Sequence, residues 1–170
     1  MRRKAHIVLV VGLVVGLLTI PATVSAESAE VTEYAGWETP AAPPSPEPCR
    51  VTGPNVKCFQ ESYWHDQTTD PRTTGWTTVQ ANYKGDASFA NGHIWGTFVT
   101  SVYEDDDTDK ALRGTWEGTW TGKLVNGAPS FRAVGHGTGE FEGLKIMADF
   151  GPPSSQGIAI EGRILDPHPH

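Results

Sequence analysis

Residues Arg113 to Val125 read RGTWEGTWTGKLV, and the order of these side chains decides the fold class. Taken at a period of two, Gly114, Trp116, Gly118, Trp120, Gly122 and Leu124 share one face of an extended chain, while Arg113, Thr115, Glu117, Thr119, Thr121 and Lys123 share the other. The first face is apolar and predicts burial; the second predicts solvent. Glycine alternating with tryptophan is a small and large order that fills a tapering barrel or makes room for a ring on a curved strand. Asn126-Gly127 follows at once and predicts a type I′ hairpin, because both central positions of that turn need positive φ.

The same period extends in both directions from this strand. Candidate strands are Val31 to Trp37, Val56 to His65, Gly75 to Lys84, Gly92 to Tyr103, Arg113 to Val125, Ser130 to Gly137, Glu142 to Phe150 and Gly157 to Leu165. In the last of these, Ile158, Ile160, Gly162 and Ile164 face away from Ala159, Glu161, Arg163 and Leu165. The separators carry turn chemistry: Asp66 to Pro71, Gly85-Asp86, Glu104 to Lys110, Asn126-Gly127, Thr138-Gly139 and Gly151-Pro152-Pro153. Connections this short make sequential neighbours antiparallel. The expected fold is all-β, an eight-stranded antiparallel barrel, since closure removes edges that a glycine-rich sheet would expose. A β-sandwich is the alternative.

The 170 residues hold 20 acidic and 13 basic side chains. Arg2, Arg3 and Lys4, the apolar run Ile7 to Ile20 and Val24-Ser25-Ala26 follow the order of a secretory signal peptide. Its removal takes three bases and no acid, leaving a mature net charge of about −10. That balance argues against nucleic acid and anionic membrane surfaces as partners. Retention of the segment as an anchor is the alternative; no second apolar stretch exists to span a membrane after processing. Thr39 to Pro48 holds five prolines in ten residues and predicts a polyproline spacer rather than a strand. Cys49 and Cys58 flank Gly53-Pro54-Asn55, a turn signal, and predict a disulfide, with two free thiols as the alternative. The predicted layout is a signal peptide at 1–26, a first strand at 27–38, a spacer at 39–48, the rest of the barrel at 49–167 and a frayed terminus at 168–170. The predicted location is extracellular.

Ala133 to Leu144, AVGHGTGEFEGL, resembles the glycine-rich strand, turn and strand signature of allene oxide cyclase-like barrels, a calycin-like architecture whose relatives include dirigent proteins. Gly114 to Gly122 and Glu161 to Pro167 fit the same pattern of closing strands, so the resemblance covers roughly Gly92 to Pro167. It implies a central cavity, a tendency to form homo-oligomers, and hosts that range from cyclases and stereochemical guides to simple binders. Plant cyclases of this type use a carboxylate and aromatic side chains of an early strand. Glu33 and Tyr34 lie in the first run here, although the proline stretch after them departs from that pattern. No catalytic residue is carried over.

Among groups able to do chemistry, His65, His93 and His136 are candidate proton shuttles by residue type, and His93 shares a face with Trp95. Solvent-facing histidines on a barrel wall are the plainer reading. Glu104 to Asp109 is acidic enough for calcium but lacks the EF-hand glycine and terminal glutamate, so a solvated hairpin tip is expected and no metal is assigned. His168-Pro169-His170 reads as a frayed end rather than a metal trap. No hydrolase, phosphate-loop or metalloprotease signature is present. The site expected from sequence is an aromatic-lined pocket built from Glu33, Tyr34, His93, Trp95, Trp116, Trp120 and His136, binding a small apolar or aromatic molecule without a cofactor. A cofactor-independent isomerase or cyclase is the alternative, and an exported structural domain without a ligand is a third.

Overall fold

The computed structural model describes residues 29–42, 49–52 and 55–168. The expected signal peptide, residues 43–48 of the spacer, the Gly53-Pro54 turn and the last two residues lie outside that range. Nine strands run in order: β1 (Glu30–Ala42), β2 (Arg50–Thr52), β3 (Asn55–Thr68), β4 (Gly75–Asp86), β5 (Gly92–Tyr103), β6 (Leu112–Val125), β7 (Ala128–Gly137), β8 (Lys145–Ser154) and β9 (Gly157–Asp166). Each of β3 to β8 pairs antiparallel with the next; β1 pairs with β9 on one side and with β3 on the other. That last pairing closes an eight-stranded barrel, as the period-two pattern predicted. The ninth strand, β2, lies outside the closed ring as a short hairpin on the start of β3.

The closure has a definite stagger. From Gly36 the ladder passes through Ile160, Phe150, Phe131, Gly122, Ile94 and Tyr83 to Cys58 of β3. Across the seam, however, Gly36 pairs with Thr68, ten residues further along the same strand. A shear of this size forces the strands to tilt against the barrel axis and widens the interior.

Three local expectations are corrected. The first strand does not stop before the proline stretch: β1 continues through Thr39, Pro40 and Ala42, where a register irregularity between Pro40 and Ala42 accommodates a residue with no N–H to donate. Asp66 to Thr68, read as the start of a turn, extends β3, and the reversal falls at 69–74, where the Thr68 hydroxyl pairs with that of Thr73 (2.6 Å). Gly151-Pro152-Pro153, also read as a turn, lies within β8; an irregularity between Phe150 and Pro153 absorbs the prolines, and the chain reverses at Ser155-Gln156. By contrast Asn126 and Gly127 adopt φ of 53° and 78°, as a type I′ turn requires.

The RGTWEGTWTGKLV strand turns the expected face inward. Trp116 is fully buried, its ring stacked parallel on Phe141 with centroids 5.2 Å apart, and its indole N–H donates to the Arg72 carbonyl at 2.6 Å. The inward glycines are spaces for rings: a Cβ on Gly118 would meet Phe98, one on Gly122 would meet Phe131, and one on Gly162 would meet Tyr34. Buried Ile158, Ile160 and Ile164 of β9 complete the interior.

Cys49 and Cys58 are joined in a disulfide, Cα atoms 4.2 Å apart, which ties the start of β2 to β3. Peptide mapping without reductant should recover this crosslink, and replacing both cysteines by serine should lower stability by about 2.7 kcal/mol on the loop-closure argument. A second expectation concerns packing. On Gly118→Ala the new methyl would stand 2.6 Å from the Gly135 Cα and 2.7 Å from the Phe98 ring. Chemical denaturation should show a loss of about 1–3 kcal/mol.

Candidate functional site

A cavity of about 470 Å³ occupies the barrel interior. Its wall alternates with the outer surface along every strand, so the lining follows from which residues of each strand share parity with Trp116. Tyr34 comes from β1, Trp64 from β3, Val79 from β4, Phe98 from β5, Trp120 from β6, Phe131 from β7, Phe150 from β8 and Ile160 from β9. Among the described residues, the end where β4–β5, β6–β7 and β8–β9 turn is the open one, ringed by Gln60, Leu124, Gly127, Pro129 and Pro153. The other end is plugged. There the indole of Trp116 holds the 69–74 turn through the Arg72 carbonyl, and Phe141 closes in behind it.

One part of this apolar wall is polar. Glu38 of β1 and Asp66 of β3 stand directly opposite each other across the seam, both facing inward and only 7% and 8% exposed. Paired positions of this kind hold their Cβ atoms about 4.5–5.5 Å apart. The Thr77 hydroxyl donates to Asp66 Oδ2 at 2.6 Å and is itself 2.7 Å from the Thr100 hydroxyl. With Asp66 ionised, the single Thr77 hydrogen is spent on the carboxylate and Thr100 is the donor in the second bond. Asp66 Oδ1 is buried with no partner among the described residues. Glu38 makes no side-chain hydrogen bond to any described residue.

Burial dominates the electrostatics here. Loss of solvation pushes Asp66 up to about 7, against the opposing pull of the Thr77 hydrogen bond and the nearby His65. Burial, with Asp66 alongside, pushes Glu38 up to about 9. Burial therefore holds both carboxyls of this adjacent pair toward their protonated forms. The Tyr34 phenol is held well above its ordinary range, first by burial and then by Asp66 and Asp70.

The residues expected from sequence divide cleanly. Tyr34, Trp116 and Trp120 line the cavity. Glu33, His93, Trp95 and His136 do not: all four point outward and are exposed. Glu33 lies in a surface depression with Arg132, Asp149, Glu161 and Arg163, His93 stacks on Trp95 at 5.2 Å, and His136 pairs with outward Glu117. Neighbours in a strand face opposite ways, so Glu33 and Tyr34 cannot both enter one cavity. The carboxylate that shares Tyr34's face is Glu38, four residues on. Counting by twos from Tyr34 would have found it, but it fell at the edge of the supposed spacer. Asp66 was hidden by its assignment to a turn. His65 also faces outward, stacked on Trp76 at 4.4 Å and bonded through Nε2 to Asp106 at 2.7 Å; this ties one residue of the acidic run to the barrel wall.

Among the described residues no helix is long and apolar enough to cross a membrane. Outward Arg132 and Asp149 form an ion pair at 2.7 Å in the surface depression that also holds Glu161 and Arg163. Comparison with known proteins returns no matching family model, no matching curated protein and no matching solved structure.

The buried carboxyls give stability a characteristic pH dependence. Both bind protons more tightly in the folded chain than in the unfolded one, so their contribution is fully present below the ordinary carboxylate range and is lost as pH rises through about 7 and then about 9. Thermal melts should show the midpoint falling across that interval, and Glu38→Gln or Asp66→Asn should flatten the slope. A midpoint independent of pH in the unsubstituted protein would contradict the burial of the pair.

Proposed function

We propose that the barrel is a binding protein for a small, mainly apolar molecule, which enters past Gln60, Leu124 and Pro129 and directs a polar head group to Glu38 and Asp66. The observation that carries this reading is a cavity of about 470 Å³ whose aromatic and aliphatic wall is interrupted by one convergent polar cluster. Small-molecule sites have this composition and fall within about 300–1,000 Å³. Burying two carboxyls inside a barrel is costly without compensation, and a ligand that engages them supplies it. Export as a free extracellular protein belongs to the same reading, supported by the basic and apolar start of the chain and by the Cys49–Cys58 disulfide.

A second reading keeps the site and adds chemistry: a cofactor-independent isomerase or cyclase of the allene oxide cyclase or dirigent type. What favours it is the juxtaposition of Glu38 and Asp66, two buried carboxyls opposite each other and both raised by burial, an arrangement that can share a proton and serve as acid and base side by side. A product appearing only with substrate and the unsubstituted pair would separate catalyst from binder.

Fluorescence titration tests the binding itself, because Trp64, Trp116 and Trp120 all line the cavity. Apolar and phenolic ligands should quench saturably. Trp120→Ala should weaken binding about tenfold through lost ring contact. His136→Ala and His93→Ala, which alter only the outer surface, should bind as the unsubstituted protein does. An effect of His136→Ala as large as that of Trp120→Ala would move the site to the outer wall.

A further inference from the structure

The polar cluster is one-sided in its hydrogen bonding, and that asymmetry identifies the guest more closely. Donors near it are already committed. Thr100 donates to Thr77 and Thr77 to Asp66 Oδ2. The indole N–H groups of Trp64, Trp116 and Trp120 donate to Ser62, to the Arg72 carbonyl and to the Gln80 carbonyl. What remains open is mostly acceptor: Asp66 Oδ1, buried and without a partner, and the Glu38 carboxyl, which no described side chain engages. The Tyr34 hydroxyl, also without a hydrogen bond to the described residues, is a wall donor beside them, and the Glu38 carboxyl offers an O–H only while it keeps the proton that a neighbouring cation displaces. Among the described residues no lysine, arginine or histidine lines the cavity.

We infer that the head group is a cation, and that the guest is a small apolar amine whose ammonium sits between the carboxyls of Asp66 and Glu38. This rests on the binding reading above and narrows it to one class of ligand. A primary ammonium brings three N–H donors and no acceptor, the complement of what the cluster leaves unmet. Its charge is matched by carboxyls with no competing base in the wall, and hydrogen bonds of this charge-assisted kind are the stronger sort. Trp64 and Phe98 stand in the wall of the same chamber, and aromatic lining of this kind favours a cation over a neutral head. An anionic head would meet two acids and no counter-charge. A neutral hydroxyl can satisfy Asp66 Oδ1 with its single hydrogen but leaves the charge of that carboxylate uncompensated.

The experiment uses matched triplets on the disulfide-bonded full chain at pH 8: 4-phenylbutylamine, 4-phenylbutan-1-ol and 4-phenylbutanoate, with decyl and naphthylethyl counterparts of each. Calorimetry should find the amine of at least one triplet bound about tenfold or more tighter than its alcohol, with the carboxylate weakest. Asp66→Asn should bring amine and alcohol to within about threefold of each other without weakening the alcohol, and Glu38→Gln should narrow the gap in the same direction. The primary comparison is made on the unsubstituted protein, so it stands even if a variant fails to fold. If alcohols bind as well as amines, or carboxylates best, the cation assignment is overturned while the cavity remains a binding site. If no member of any triplet binds saturably, the binding reading falls and takes this inference with it.

Discussion

The hydrogen bonds between β1 and β3 hold the rest of the molecule in place. Without them the eight strands would form an open meander whose two terminal edges stay unpaired and whose inner face has nothing to pack against. With them the sheet closes on itself at a stagger of ten residues, and every inward side chain acquires its neighbours across the interior. The site is a direct product of that seam. Glu38 and Asp66 are 28 positions apart in the chain and meet only because β1 skips β2 and pairs with β3 in that particular register.

Closure also explains the glycines. A barrel of this shear bends its strands sharply and crowds ring against backbone on the inside. Phe98 lies over Gly118 and Gly135, Tyr34 over Gly162, and Phe141 over Gly114 and Gly137. Each large residue faces a position that could not carry a Cβ, so the interior is filled without strain near the plugged end and stays open near the other. The same small and large alternation therefore builds a core around Trp116 and a cavity beside Trp120, two outcomes from one strand.

Within this wall the carboxyl pair is energetically out of character. Burial raises both groups, and among the described residues Asp66 Oδ1 is left unbonded and neither has a cationic side chain to answer it inside the barrel. Contrast Asp70, which the Arg72 guanidinium beside it holds below its usual range, and Asp149, paired with Arg132 on the outside. Those pairs are structural and self-contained. Glu38 and Asp66 are incomplete, and an incomplete polar group in a ligand-sized chamber is where a functional reading belongs.

The sequence by itself determined the all-β class, the inward face of β6 and β9, the Asn126-Gly127 hairpin and the Cys49–Cys58 bridge, because each of these depends on residues close together along one strand or one turn. For the same reason it placed Tyr34, Trp116 and Trp120 on the cavity wall. It misassigned Glu33, His93, Trp95 and His136 because parity says which residues share a face but not which face is inside when both carry aromatic or titratable groups. Prolines near Glu38 and the threonine-rich turn after Asp66 masked the two carboxyls, since local turn chemistry competes with a strand that only tertiary pairing sustains. The partner of Glu38, the volume left beside Trp120 and the plug beneath Trp116 belong to the tertiary structure alone: they are set by the offset accumulated around all eight strands, a quantity that no single segment contains.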